Sequence, residues 1–239
     1  MSELSSRLDY FENRGIEHDY YKNYKMPSYL KNNLPKNKDS VLLDIGCGFG
    51  QVLQELKTVG FTNIKGIDIL PGAVAFVKSK GIDAEQIDDL CEFCLSSSVQ
   101  YDFILMSHVL EHLEKDKIIT VLSLIRTKLL KPSGSFLIVV PNAQSNTDCY
   151  WAYEDFTHSL LFTAGSLQYV LRSAGFSNIE FKDVKGVDDS TLVKKLLKLI
   201  FLTIYALNKR FWNIVTSSSY HKPSPVIYTF DLKALASND

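Results

Sequence analysis

Three clusters of residues carry chemistry. The run Asp44-Ile45-Gly46-Cys47-Gly48-Phe49-Gly50 is followed by acids at Asp68 and Asp88. His108, Glu111 and His112 stand at i, i+3 and i+4. Tyr150, Trp151, Tyr153, Asp155, Thr157 and His158 crowd rings, an acid, a hydroxyl and an imidazole into nine positions. Alternate glycines let a backbone turn tightly and approach a ligand that side chains would block. The dinucleotide fingerprint needs its third glycine one place later, where this chain has Gln51, so a nucleoside cofactor without a pyrophosphate fits better. A carboxylate at a strand end accepts hydrogen bonds from a ribose diol, the role given to Asp68, with Asp88 at the next strand end. Cys47 and Ser107 are assigned to the same pocket. Imidazoles and a carboxylate in register suit proton transfer, substrate contact or a divalent cation.

These residues need a scaffold that brings them to one edge. "SVLLDIG" reads as a buried strand, "GQVLQELKTVG" as a helix closing on Gly60, and "NIKGIDI" as a second strand. "PGAVAFVKSKG" is a second helix and "DAEQID" a third, weaker strand that Asp88 would close. "YDFILMS" is a fourth strand, followed by a helix over "KDKIITVLSLIRTKLL" that stops before Lys131-Pro132. "GSFLIVVP", "NIEFKDV" and "PVIYTFDLKAL" supply three further strands, and Thr163 is placed to cap a helix over "AGSLQYVLRSAGF". Such alternation predicts a mostly parallel sheet with helices on both faces, whose ligands bind at the carboxyl edge. Residues 1–39 read as short helices leaning on a core of 40–186. Residues 187–224 form a helical insertion, and 225–239 the last strand and tail, all in one domain.

The glycine run, Asp68 and "YDFILMSHVLEHL" resemble the class I S-adenosylmethionine-dependent methyltransferases over roughly residues 40 to 185. The resemblance implies a Rossmann-like sheet of seven strands with the last antiparallel. It also implies S-adenosyl-L-methionine as cofactor: Asp44 and Gly46 to Gly50 face its methionine part, Asp68 holds the ribose hydroxyls, Ile69 packs on the adenine, and Asp88 (or Asp89) faces the adenine amino group. Some members, ubiquinone-type O-methyltransferases among them, hold a metal near His108, Glu111 and His112. Those usually have a glutamate in place of His108, so Glu111 is read as a helix-start carboxylate with His112 behind it, and no metal is assigned.

Methyl transfer to a hydroxyl needs alignment and a place for the proton, which makes His158, with His108, Glu111 and His112, the catalytic candidates. Rings interleaved with acids suit a carbohydrate, and the 155–167 spacing resembles methyltransferases of bacterial surface polysaccharides. A glycan or its precursor is therefore the first acceptor expected, and a quinone-like small molecule the second. A docking module that binds cofactor without catalysis is the third reading.

Residues 191–215 separate the last two strands, with Ser190 as the expected helix start. The segment is apolar almost all round, basic at its flanks, and too interrupted to span a bilayer. It suits an interfacial helix, or equally one buried on its own domain or on a dimer partner. A net charge of -1 over 239 residues argues against a nucleic-acid binder. "MSELSSRLDY" carries no secretory pattern, and Cys47, Cys91, Cys94 and Cys149 make no disulfide framework. Cys91 and Cys94, a lone CxxC, read as small half-buried residues. A cytoplasmic protein, peripheral at the membrane if the insertion touches lipid, is expected.

Overall fold

The computed structural model describes residues 10–146, 150–219 and 221–238. Cys149 and most of the leading stretch read for a secretory signal lie outside them.

Seven strands form one sheet in the order β3-β2-β1-β4-β5-β7-β6. They are β1 Leu42–Ile45, β2 Ile64–Asp68, β3 Asp83–Gln86, β4 Tyr101–Ser107, β5 Leu130–Pro141, β6 Asn178–Phe181 and β7 Asp231–Ser237. β1 pairs in parallel with β2 and with β4, whereas β7 runs antiparallel between β5 and β6. The chain order reverses direction at β1/β4, and the crevice above that switch point is where an open sheet takes its ligand.

The pleat of β4 shows how the sequence builds the core. Phe103 and Leu105 join one apolar layer with Leu53, Phe61 and Leu137. Ile104 and Met106 join the other, with Phe136, Ile138, Leu167 and Phe176. Successive side chains leave a strand on opposite faces, so an unbroken apolar run predicts burial on both.

The boundaries shift where side chains compete with the ladder. β3 stops at Gln86, so Asp88 lies in the loop beyond it instead of closing the strand. Asp89 starts a helix missed in the sequence, Leu90–Ser96, by accepting the Glu92 N–H at 3.0 Å. This helix holds Cys91 and the buried Cys94. The helix after β4 is shorter than expected, Ile118–Leu124, and closes through a π turn, Ile125–Leu129, directly into β5. The last strand begins at Asp231, because Asn142 Nδ2 donates to the carbonyls of Ile227 and Thr229 at 2.8 Å each and holds 225–230 as a loop. Thr163 caps Ala164–Ser173 as expected, in a reciprocal box with Ser166. Ser190 does not start the inserted helix: Thr191 holds the cap position, without a side-chain bond, before Leu192–Val215.

Candidate active site

A cleft of about 810 Å³ opens above β1, β2 and β4. Its volume falls within the range usual for small-molecule sites, roughly 300–1,000 Å³. One wall is the glycine loop. Gly46, Gly48 and Gly50 all have positive φ, at 73°, 51° and 72°. At Gly46 a Cβ would also fall 2.2 Å from Val109 Cγ2, so space and backbone both demand glycine there. Asp68 ties the loop to β2, its Oδ2 accepting the Gly48 N–H at 2.8 Å and its Oδ1 the Leu70 N–H at 2.9 Å. Asp44 is buried beside it. Burial first, and the Asp68 charge second, push its carboxyl up to about 8.

Asp44, Gly46, Cys47, Gly48, Asp68, Ile69, Asp88 and Ser107 all line this cleft, and so does Asp89. Gly50 does not line it. It starts the helix Gln51–Thr58 from below the loop, where a Cβ would meet Val77 Cγ2 at 2.7 Å. The wall fits a nucleoside with an aminoacyl tail, because its concave backbone admits no Cβ at Gly46 and buried acids stand at two adjacent strand ends. Ile69, 39% exposed, offers a flat apolar contact beside them.

The opposite wall is assembled from distant segments. His108 follows β4 with φ 55°, a left-handed conformation rare for a side-chain-bearing residue. His108 therefore precedes the short 3₁₀ turn Leu110–His112, so the helical face that the i, i+3, i+4 spacing would give once a helix has started does not include it. Its Nδ1 still reaches Glu111 Oε1 at 3.3 Å. Burial opposes its charged form, but Glu111 and then Asp231 outweigh that and raise its pKa.

Glu111 is fully buried, and apart from the approach of His108 Nδ1 to Oε1 neither carboxylate oxygen has a hydrogen-bond partner among the described residues. Its carbonyl accepts Ser159 N–H at 2.8 Å, pinning the acceptor loop over it. His158 and His112 converge there, their rings 4.7 Å apart. His158 Nδ1 lies 2.6 Å from the Trp151 carbonyl, which can only accept, so Nδ1 carries a proton and Nε2 is the nitrogen turned toward Asp155 and Glu111, at 3.7 and 3.9 Å. Thr157 Oγ1 donates to Asp155 at 2.6 Å and so accepts from His112 Nδ1 at 2.9 Å. His112 too presents Nε2, and burial holds its pKa down. The ligating atoms of Glu111, His112 and His158 all lie within 4.8 Å of one another.

The aromatic stretch divides. Trp151, Asp155, Thr157 and His158 reach the cleft, whereas Tyr150 and Tyr153 are outside it, 50% and 82% exposed. Both belong to a short helix, Tyr150–Glu154, which turns alternate rings outward. Asp155 is 4% exposed and is engaged by its own protein: Tyr10 Oη donates to it at 2.8 Å and Arg14 pairs with it at 2.8 Å. Burial disfavours its charge, but the Thr157 and Tyr10 hydrogen bonds lower its pKa overall.

Tyr10 and Arg14 were not among the sequence candidates. They sit on and just after the helix Tyr10–Asn13, where Phe11 lies over Phe49 of the glycine loop with centroids 4.5 Å apart. The N-terminal segment thus roofs both walls. Its tyrosine-rich composition was the only signal, and it carries no spacing that names a partner 145 residues away.

Residues 17–180 match the model of a methyltransferase-domain family, and the chain belongs to that family. It is similar to the ubiquinone biosynthesis O-methyltransferase of Rickettsia conorii, 32% identical over 105 residues, 42% of this chain and 35% of that one. A second relative of that name, from Rickettsia canadensis, is 31% identical over 42% of each chain. The chain thus spans less than half the length of these curated relatives. Among solved structures it resembles an S-adenosylmethionine-dependent methyltransferase from Archaeoglobus fulgidus, with TM-score 0.64 and 22% identity over 95% of this chain and 96% of that one. Human N-acetylserotonin methyltransferase with S-adenosylmethionine has TM-score 0.58 and 15% identity, over 99% of this chain and 56% of that one. The family makes residues 17–180 a methyltransferase domain, and the fold is the one shared with these S-adenosylmethionine-dependent methyltransferases.

Proposed function

We propose that this chain methylates a hydroxyl oxygen of a small, quinone-like aromatic precursor. The observation that carries the reading is the pair of imidazoles, each anchored through Nδ1, that converge on the buried Glu111 across the cleft from the glycine loop. The bound donor supplies an electrophilic sulfonium methyl. Gly46 to Gly48 and Asp68 would hold it, with Asp44 on the side of its charged tail and Asp88 and Ile69 on the side of its base. The acceptor lies against Trp151, and His158 Nε2 takes its proton. Trp151 O keeps the imidazole in the correct tautomer, and Glu111 Oε1, 3.9 Å from Nε2, favours the imidazolium that forms. The N-terminal roof excludes water. The relatives' names support an aromatic hydroxyl. Of the aromatic stretch only Trp151 supports the glycan reading, since Tyr150 and Tyr153 stand outside the cleft.

A second reading has its own observation. Glu111, His112 and His158 offer one oxygen and two nitrogens, with both histidines anchored through Nδ1, the support that metal-ligating imidazoles usually have. A divalent cation there would bind the acceptor oxygen and lower its pKa. His158→Ala should cut turnover by about two to four powers of ten while leaving donor affinity nearly unchanged. Methyl-labelled donor with catechol-type and glycan acceptors reads this directly. Full turnover of His158→Ala overturns the base. Chelator inactivation reversed by one divalent metal selects the second reading.

A further inference from the structure

We infer that the helix Leu192–Val215 is a membrane-surface anchor that lays its outer face on anionic lipid. The helix has 24 residues and none of them is buried. Val193, Ile200, Leu207 and Ile214 recur every seventh position, and Leu197, Ile204 and Phe211 do so between them. At 3.6 residues per turn these seven share one stripe. All are exposed, from 46% at Ile200 to 72% at Ile214. Leu199, Leu202, Tyr205 and Ala206, half-buried, mark the side toward the domain. The stripe is widened by Leu196, Phe201 and Val215, each at least 55% exposed. A soluble chain rarely leaves an apolar surface of this extent uncovered.

Charge identifies the occupant. Lys194, Lys195, Lys198, Lys209, Arg210 and Lys222 are basic, and no acid occurs from Ser190 to Phe230. On the same helical count Lys194 and Arg210 fall on opposite flanks of the stripe, where long side chains reach headgroups while the apolar face inserts. A second copy would bring like charges together with no acid to pair them, and a face this broad exceeds the narrow seam a coiled coil uses. No helix among the described residues is long and apolar enough to cross a membrane, so the helix lies in the interface. It meets the domain beside the acceptor wall. Tyr205 Oη donates to Gln144 O at 3.5 Å, and its ring packs edge-on against Tyr228, in the loop that Asn142 holds. The anchor would therefore present the cleft to the bilayer surface. The inference does not depend on which acceptor is methylated.

The test is co-sedimentation of the full chain with vesicles of equimolar phosphatidylcholine and phosphatidylglycerol, beside phosphatidylcholine alone, at low and high salt. Binding should favour the anionic vesicles and weaken with salt. Lys194→Gln and Arg210→Gln should each lower partitioning about fivefold. Phe211→Glu should abolish it. Calorimetric binding of S-adenosylmethionine shows that each variant is folded, since these side chains are exposed and none of them lines the cleft. Equal binding to both vesicle types, or none, overturns the inference. So does a solution dimer that Phe211→Glu splits, which would assign the stripe to a second copy.

Discussion

The two walls of the cleft are built on different principles. The donor wall is local. Asp68 reaches Gly48 across 20 positions and Leu70 across two, and each residue acts from the end of a strand or the turn beyond it. The acceptor wall is assembled from afar: Tyr10 meets Asp155 across 145 positions, and His112 meets Thr157 across 45. On the donor wall the topology itself does the positioning, so its couplings, Asp68 with Gly48 and with Asp44, stay within that wall and act apart from the acceptor loop. On the acceptor wall each side chain is held by another, and no member keeps its geometry alone. The contrast implies separable mutational effects on one side and coupled effects on the other.

Asp68→Ala tests the separable side and should give the largest of these effects. Hydrogen bonds to a buried carboxylate contribute about 1.5–3 kcal/mol each. Losing the ribose contacts should weaken donor binding by at least about tenfold, at about 1.4 kcal/mol per factor of ten. Turnover at saturating donor should change little. Calorimetry with S-adenosylmethionine, followed by rates at saturation, checks both. A variant with normal affinity but slow turnover would erase the distinction between the walls.

Tyr10→Phe and Arg14→Ala probe the coupled side. Each removes one partner of Asp155, and a net hydrogen bond or partly screened ion pair of this kind contributes about 0.5–1.5 kcal/mol. The acceptor KM should rise roughly two- to tenfold in either variant, in line with that energy. Combined with Asp155→Asn, either change should add less than its single effect, because Asp155 has already lost the charge that held it. Strict additivity in a double-mutant cycle would show that the roof and the acceptor loop act independently.

The same contrast explains what the sequence made legible. The sheet, its switch point, the glycine loop and Asp68 follow from short-range patterns: an apolar run, then glycines that only a tight backbone turn requires. Thr163 was legible for the same reason, since a cap and its partner lie three residues apart. His158 and Glu111 could be named as polar residues near the ligand edge, but not their geometry. That geometry depends on Trp151 O fixing a tautomer and on His108 adopting positive φ, and neither leaves a spacing signature. Tyr150 and Tyr153 look the same in sequence as Trp151, and only the turn of one short helix separates them. Asp155 looked like a substrate contact because its partners sit at the far end of the chain.

The smallest effect, and the most direct measure of the donor wall, is protonic. Burial and the neighbouring Asp68 hold the Asp44 carboxyl up to about 8, against the 3.8 of a free aspartate. A carboxyl raised on folding lends its stability below the unfolded value and loses it as pH climbs toward the folded one. The free protein should therefore lose stability between about pH 4 and pH 8 on account of Asp44. On the proposed placement S-adenosylmethionine would bring a sulfonium and an ammonium to that carboxyl, and a nearby positive charge favours the ionised form. Binding at neutral pH should therefore expel a proton, and the donor should bind more tightly as pH rises toward 8. Calorimetric titrations in buffers of differing ionisation enthalpy count the proton. The wild type should release most of one near pH 7, and Asp44→Asn should release almost none while binding more weakly. Proton uptake by the wild type, or equal release by both proteins, would mean that Asp44 is already ionised in the free cleft. The donor wall would then be preformed in charge as well as in shape.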